Sequence, residues 1–416
     1  MINNSLKYLL LTLFFSSGLM AQVQVGSPIL GEASGDYFGE NTAINGNGTI
    51  VAGFAPLNSS NRGHVRVFKH TPTGQTSWTQ MGSDIDSEAS SDNGTIESGS
   101  NNIALDYSGN ILAFGSVNND GGGTNAGSVR VFTFTNNSWV QMGSDINGEA
   151  ANDDFGLSVA LSDDGLTLVV GADRHDSNNN SNTGAIYVYQ YSANGWVEKG
   201  DLIHGEATNN YYFGNSVSIN RSGTIVAGSS ISAESSKGDV KIFQYTPTGS
   251  TSWTQMGSDI VGETASDNSG QSISLDGSGN RIAIGAVNND GGGSNSGHVR
   301  VYQYTPSGTT SWTQVGADID GESSSDYFGD SVSLSADGFT LAVGARTNEG
   351  GGSSRGSIRV YKHTPTQTVS WTQFGFDIDG SANSDYFGES VSLSKDGTRL
   401  VGGACLANDG PGSDAG

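Results

Sequence analysis

The chain has 416 residues, with 62 glycines, seven prolines and a net charge of −24 at pH 7. This charge argues against a nucleic-acid partner and against an anionic membrane surface, because both need a basic footprint. Hydrophobic residues make up 34% of the chain, which is low for one large core but sufficient for small stacked modules. The single cysteine, Cys405, excludes an internal disulfide framework, and we expect it to be a buried structural thiol.

The first residues have the pattern of a secretory signal peptide. Lys7 provides a positive charge, and an apolar run over 8–15 follows that is too short to cross a bilayer. Small residues then lead to a cleavage site after Ala21. We therefore divide the chain into a signal peptide, 1–21, and a mature region, 22–416. No other stretch is apolar enough to cross a membrane, and we expect an exported protein, secreted or at the cell surface.

The mature region is an internal repeat. Six tryptophans recur every 57 to 61 residues in the same sequence context, at Trp78, Trp139, Trp196, Trp253, Trp312 and Trp371. A Phe-Gly pair recurs at Phe38, Phe155, Phe213, Phe328 and Phe387, and is degraded to Ser98-Gly99 and Ser269-Gly270 in two copies. These seven starts predict seven repeats of about 59 residues. Their approximate bounds are 30–86, 87–147, 148–204, 205–261, 262–320, 321–379 and a truncated 380–416.

Each repeat predicts four short strands. In the sixth copy, small polar and apolar residues alternate over 331–335, an apolar segment covers 341–345, and Val-Arg-Val-Tyr-like residues occupy 358–361. The fourth strand is expected to run from Trp371 through Asp377 and Ile378. Asp337-Gly338 predicts a tight hairpin between the first two strands. The first strand has the smallest side chains and is therefore expected to be innermost, where propeller blades taper.

The predicted fold is an all-β, seven-bladed β-propeller of four-stranded antiparallel blades. The segment 23–29 aligns with a fourth strand, and we expect it to join the seventh blade and close the ring. That blade lacks its third strand, so we expect it to be incomplete at the C-terminus and the natural chain to continue beyond Gly416.

The order Phe-Gly, strand, turn, Val-Gly-Ala and Gly-x-Val-x-Val-Tyr resembles the FG-GAP repeat. The clearest copies are Phe328-Gly329 with Gly344-Ala345, Phe155-Gly156 with Gly171-Ala172, and Phe387-Gly388 with Gly403-Ala404. The resemblance implies the seven-bladed propeller of integrin alpha subunits, here in a secreted bacterial type. In integrins, several repeats carry a calcium loop in the first hairpin. The corresponding hairpins here are too short to surround an ion, so no metal or cofactor residue is assigned.

Four kinds of residue are candidates for a site. The Asp-Ile-x-Gly-Glu links at Asp145, Asp259 and Asp318, and the parallel Asp-Ile-Asp-Gly-Ser link at Asp377, could hold a cation, although a turn role for the aspartate is the simpler interpretation. The Gly-rich loops 118–123, 288–293 and 348–352 lack the lysine and helix of phosphate-binding loops. A basic residue recurs in the third strand, at Arg66, Arg130, Lys241, Arg300 and Arg359. We expect it to pair with an aspartate such as Asp36 or Asp326, and the tryptophans to pack between blades.

No motif in the sequence indicates catalysis, since the six histidines have no metalloprotease spacing and no nucleophile elbow occurs. We expect no enzyme, but a monomeric interaction module that binds a protein or a carbohydrate through loops at one rim. Two alternatives stay open: a hydrolase or lyase in the central funnel, and a structural spacer in a larger surface protein. Two or more converged carboxylates with an arginine or histidine at the funnel mouth would favour the enzyme.

Overall fold

The computed structural model describes residues 22–71, 78–92, 101–177, 179–247, 252–306, 312–350, 352–364, 371–408 and 414–416. The predicted signal peptide and the degraded Phe-Gly copy at Ser98-Gly99 lie outside the described residues. Within the described residues, the chain forms six antiparallel sheets, which are the blades of a β-propeller, and one two-stranded sheet. Helix is limited to two four-residue segments, α1 (Asn58–Asn61) and α2 (Ala233–Ser236).

The strands follow the chain in six sets of five and one set of two. Blade 1 contains β1 (Thr42–Ile44), β2 (Ile50–Ala55), β3 (His64–His70), β4 (Trp78–Gln80) and β5 (Ile85–Asp86). Blade 2 contains β6 (Ile103–Leu105), β7 (Ile111–Ser116), β8 (Ser128–Thr135), β9 (Ser138–Gln141) and β10 (Ile146–Asn147). Blade 3 contains β11 (Ser158–Leu161), β12 (Thr167–Ala172), β13 (Ala185–Ser192), β14 (Gly195–Glu198) and β15 (Ile203–His204).

The remaining sheets repeat this arrangement. Blade 4 contains β16 (Val217–Ile219), β17 (Ile225–Ser230), β18 (Asp239–Tyr245), β19 (Trp253–Gln255) and β20 (Ile260–Val261). Blade 5 contains β21 (Ser269–Leu275), β22 (Arg281–Ala286), β23 (His298–Tyr304), β24 (Trp312–Gln314) and β25 (Ile319–Asp320). Blade 6 contains β26 (Ser331–Leu334), β27 (Thr340–Ala345), β28 (Ser357–His363), β29 (Trp371–Gln373) and β30 (Ile378–Asp379). The two-stranded sheet, here called the closing sheet, contains β31 (Val391–Leu393) and β32 (Leu400–Gly402).

The small-residue strand is the innermost strand of each blade, as predicted. First strands of neighbouring blades contact one another around the whole ring, and β31 of the closing sheet lies between β26 and β1. Within a blade, the order runs from the first strand through the second and third to the fourth. The second strand is fully buried in most blades, because it is covered by the neighbouring blades on both faces.

The prediction of seven blades is wrong, since the part of the chain that the structure describes forms six. The seventh Phe-Gly start, at Phe387, is followed among the described residues only by the two strands of the closing sheet. Counting motif starts therefore overestimated the number of blades. The closing sheet nevertheless meets blade 1 through the contacts that join the blades to each other: the Ser390 hydroxyl donates to the Gly39 carbonyl at 3.0 Å, as Ser331 does to Gly388 at 2.8 Å.

The segment before blade 1 lies where a fourth strand would lie, but it is not a strand. The Trp78 indole donates to the Val25 carbonyl at 2.9 Å, in the same way that Trp139 donates to Met81 at 2.7 Å. No ladder forms at 22–30. A strand needs a neighbour to share its hydrogen bonds, and no described third strand stands between this segment and β32.

The fourth strand is not continuous, contrary to expectation. In blade 6 it is divided into β29, which pairs with the end of β28, and β30, which pairs with its beginning. Gly375 lies between them with φ of +84°, a conformation that few other residues adopt. After the break, the side chain of Asp377 lies 3.0 Å from Arg359 of β28, and Gln373 of β29 donates to it at 2.6 Å.

The two glycines of the repeat motif allow backbones of adjacent blades to touch. A Cβ on Gly344 would lie 1.9 Å from the carbonyl oxygen of Gly388, just before the closing sheet, and one on Gly171 would lie 2.0 Å from that of Gly214. The phenylalanine of the motif is part of the core, since Phe155, Phe213 and Phe328 are fully buried. The motif is therefore explained by close contact between blades.

Candidate functional site

The Gly-rich loops and the links between blades lie beside each other on one face, which we call the upper face. It consists of the loops between second and third strands, such as 118–123 and 288–293, and of the links that lead to the next blade, such as 318–322. In blade 2 the Asn119 amide lies 3.4 Å from the Glu88 carboxylate and 3.3 Å from that of Asp92. A Gly-rich loop and the link that leads into its blade are thus neighbours in space.

The backbone amides of the Gly-rich loops form hydrogen bonds within the loops. In blade 5 the Gly291 amide donates to the Asn289 side chain at 2.8 Å, and the Asn295 amide donates to Asp290 at 2.8 Å. The same bonds form in blade 2, from Gly121 to Asn119 and from Asn125 to Asp120, each at 2.8 Å. These amides are already paired, so the loops are not phosphate cradles, and the regular bonding gives each loop a defined shape.

An open cleft lies on the upper face at blade 5. Its walls are the link into the blade, the Gly-rich loop and the link out of it, and they carry five carboxylates: Glu263, Asp267, Asp290, Asp318 and Asp320. Burial raises the pKa of Asp320, and the neighbouring Asp318 raises it further. Carboxylates placed this close together favour a cationic occupant, because they repel one another in its absence.

The basic residue of the third strand is buried, and in blades 1, 4, 5 and 6 it forms ion pairs, but not with the aspartate that we expected. Arg359, 1% exposed, lies 2.7 Å from Glu322 in the preceding link and 3.0 Å from Asp377 of its own blade. Lys241 contacts Glu206 and Asp259, both at 2.8 Å. The aspartate before each Phe-Gly instead closes its own turn; Asp326, for example, accepts from the Ser323 amide at 2.9 Å.

Blades 1 and 5 differ, because a histidine begins their third strand. His298 is 1% exposed, and its Nδ1 lies 3.9 Å from Asp318 Oδ2. Burial, and to a smaller extent the charge of Arg300, lower the pKa of His298 to about 4. The imidazole is therefore neutral at pH 7. In blade 1, His64 Nδ1 lies 3.8 Å from Asp84 Oδ2. The ligand atoms of Glu32, His64 and Asp84, and equally those of Glu263, His298 and Asp318, lie within 4.8 Å of one another.

The tryptophans connect the blades, as predicted. Each indole N–H donates to a main-chain carbonyl of the preceding repeat or, for Trp78, of the segment before blade 1. The six acceptors are Val25, Met81, Met142, Lys199, Met256 and Val315. The distances are 2.6 to 3.0 Å. A buried indole usually needs such a partner. These side chains are engaged in structure, and no described tryptophan stands free as a sugar-stacking platform.

Charged residues also gather at the upper end of the inner strands, which we call the inner mouth. Glu389 and Asp330 each follow a Phe-Gly pair and lie just before a first strand; Cys405 and Arg346 each follow a Gly-Ala pair. The Cys405 thiol donates to Glu389 at 2.6 Å, and Arg346 lies 3.5 Å from Asp330. Burial raises the pKa of Glu389. The hydrogen bond from Cys405 lowers this pKa in part, whereas the charge of Asp330 raises it further. Burial and Glu389 raise the pKa of the Cys405 thiol, which fits a structural cysteine.

Sequence reasoning missed the residues at the inner mouth and the Glu–His–Asp groups. The inner mouth could have been found from the position after each Phe-Gly, which holds an acid in three copies (Glu40, Asp330 and Glu389). The second signal is a histidine two residues before the arginine of the third strand, at His64 and His298. Neither pattern specifies a contact on its own, because the partners come from other strands.

Taken together, the strand order, the inner ring of first strands and the inter-blade contacts define a β-propeller built from sequence repeats. Comparison with known families identifies the repeats: the FG-GAP repeat profile matches residues 147–189 and 317–361, which cover the first three strands of blades 3 and 6. The chain therefore contains FG-GAP repeats. A search of curated proteins finds no match. Over the described residues, no helix is sufficiently long and apolar to cross a membrane.

Proposed function

We propose that this protein is an exported interaction module and that the upper face is its ligand surface. Support comes chiefly from one observation: five carboxylates line an open cleft between the loops at blade 5. A propeller provides a rigid support on which such loops can vary without affecting the ring. Export rests on the signal-peptide pattern of 1–21, and the FG-GAP repeats agree with a role in binding.

The charge of the cleft indicates the chemistry of the ligand. A protein surface rich in lysine and arginine complements the carboxylates, and its approach is accelerated by the net charge of −24. A carbohydrate remains a second ligand class, because its hydroxyl groups can be bound by carboxylates directly. We assign the protein ligand first, since it uses the acidic charge.

The test is a ligand screen followed by variants of the cleft. The mature chain is screened against immobilised peptide and glycan arrays, and the best ligands are measured by calorimetry. Asp290→Asn with Asp320→Asn removes two charges from the cleft while retaining oxygen acceptors. Glu198→Gln, in the exposed outer strand of blade 3, is the matched control.

We expect the cleft variant to bind basic peptides at least about tenfold more weakly, which corresponds to about 1.4 kcal/mol. The control should bind as the wild type does. Equal binding by the cleft variant would contradict the assignment of the upper face, and so would a screen in which no basic peptide binds.

A second function, hydrolysis or elimination on a carbohydrate, is favoured by the inner mouth. Glu389, whose pKa is raised by burial, suits a general acid, and Asp330 beside Arg346 suits a carboxylate base. Two carboxyl groups in different environments are the usual requirement of glycoside hydrolysis. Polysaccharides incubated with the protein would release reducing ends or unsaturated sugars, and Glu389→Gln and Asp330→Asn would abolish that release. If no polysaccharide is cleaved by the wild type, this function is excluded for the substrates tested.

A further inference from the structure

We propose that Glu263, His298 and Asp318 form a binding site for a divalent transition metal of the Zn²⁺ class. The three residues come from three segments: the link into blade 5, the first residue of β23, and the break before β25. Their ligand atoms lie within 4.8 Å of one another, and they border the acidic cleft. The site goes beyond the interaction function proposed above, because it specifies a metal and its ligands.

The buried histidine is the observation that points to an occupant. His298 is 1% exposed, and its Nδ1 is buried without a hydrogen-bond partner while lying 3.9 Å from Asp318 Oδ2. An unpaired buried polar atom costs about 1–3 kcal/mol. A metal ion between the imidazole and the two carboxylates would accept the lone pair of His298 Nδ1.

The geometry needs only a small adjustment to bind an ion. Zn²⁺ holds nitrogen and oxygen ligands at about 2.0–2.1 Å, which places two tetrahedral ligands about 3.3 Å apart. Nδ1 and Oδ2 are therefore about half an ångström too far apart, a difference that rotation of the half-exposed Asp318 removes. Glu263 is exposed and can move toward the ion.

The surrounding residues orient the ligands. Gln314 donates to Asp318 Oδ1 at 2.6 Å, so that Oδ2 is the oxygen left facing His298. Such outer contacts fix the orientation of metal-binding carboxylates. Arg300 lies 3.4 Å from Glu263 Oε1, and its charge opposes the ion. Three protein ligands leave a fourth position open to water.

Two other blades strengthen the assignment. Blade 1 has the same set, Glu32, His64 and Asp84, with Nδ1 and Oδ2 3.8 Å apart. Blade 6 has Ser357 in place of the histidine, and there the aspartate, Asp377, bonds the Nε of Arg359 at 3.0 Å. In blades 1 and 5 the corresponding Nε atoms of Arg66 and Arg300 have no hydrogen-bond partner. In these three blades, the histidine is therefore present where the arginine Nε does not form a hydrogen bond to the aspartate.

The test compares His64→Gln with the double variant His64→Gln/His298→Gln, both as untagged mature chains stripped of metal. The first variant retains only the blade 5 site. Co²⁺ is titrated as a spectroscopic probe and Zn²⁺ by calorimetry, and far-UV circular dichroism confirms folding. We expect His64→Gln to bind one equivalent with visible d–d absorption. We expect the double variant to bind at least about tenfold more weakly and without that absorption.

Asp318→Asn in the His64→Gln background should cause the same loss while leaving the imidazole intact. If His64→Gln does not fold, the wild type and His298→Gln must differ by one equivalent. Unchanged binding in the double variant, or no binding by the wild type, would overturn the proposal.

Discussion

The indole hydrogen bonds between repeats can be tested by replacing Trp312 with phenylalanine. The Trp312 N–H donates to the Met256 carbonyl at 2.6 Å, and its ring lies 5.2 Å from that of Tyr304. Phenylalanine retains an aromatic ring but leaves the carbonyl without this donor. A neutral hydrogen bond contributes about 1 kcal/mol, and an unpaired acceptor adds to the loss. We therefore expect Trp312→Phe to lower the free energy of unfolding by about 1–2 kcal/mol.

The assay is unfolding in guanidinium chloride followed by far-UV circular dichroism, with Trp78→Phe as the matched control. The Trp78 acceptor, Val25, lies in a segment without strand structure, and the bond is solvent-exposed. Water can replace an exposed donor, so the control should lose less than about half as much. An unchanged midpoint for Trp312→Phe, or an equal loss in both variants, would refute the account of how the blades are joined.

Three further predictions concern the glycines, one buried aspartate and the hairpins. Gly344→Ala places a Cβ 1.9 Å from the Gly388 carbonyl and should lower the free energy of unfolding by about 3 kcal/mol. The control is Gly195→Ala, which has no neighbouring atom within 4 Å and should lose only the positive-φ penalty of about 1 kcal/mol. Equal losses in the two variants would contradict the close-contact explanation. Burial raises the pKa of Asp239 to about 6 in the folded protein, which is above its pKa in the unfolded chain. The folded protein therefore loses stability as the pH rises from about 4 to about 6, by at most about 3 kcal/mol. Asp239→Asn should therefore gain stability over the wild type across that window, and a pH-independent difference would contradict the assignment. Asp337→Asn should leave the effect of added calcium on the melting temperature unchanged, since Asp337 in the first hairpin of blade 6 already accepts from Ser335 and the Phe339 amide; a smaller calcium effect in the variant would show that a hairpin calcium site was missed.

The strands were predictable because their pattern is local. Alternation over 331–335 and the Asp337-Gly338 turn depend on neighbouring residues, and both agree with β26, β27 and the hairpin between them. The number of blades was not predictable, since a Phe-Gly start shows that an inner strand begins but does not show that the other three strands of a blade follow. The break in the fourth strand was also missed, because the conformation of Gly375 depends on how β29 and β30, on either side of it, pair with β28.

The candidate sites were only partly predictable for the same physical reason. The buried role of Arg359 followed from its place in an apolar strand, but its partners, Glu322 and Asp377, are set by the link and by the strand break. His298, Asp318 and Glu263 are separated by 20 or more residues and meet only through the register of β23 and β25. Sequence reasoning without that register could not bring them together.

Hydrogen–deuterium exchange with a bound ligand tests the central claim most directly. The mature chain is compared with and without the tightest basic peptide from the array. If the upper face binds the ligand, the amides of 288–293 and 318–322 should exchange more slowly in the complex, while those of the hairpins at 162–165 and 335–338 should be unchanged. Protection of the hairpins with no change at 288–293 would contradict the account.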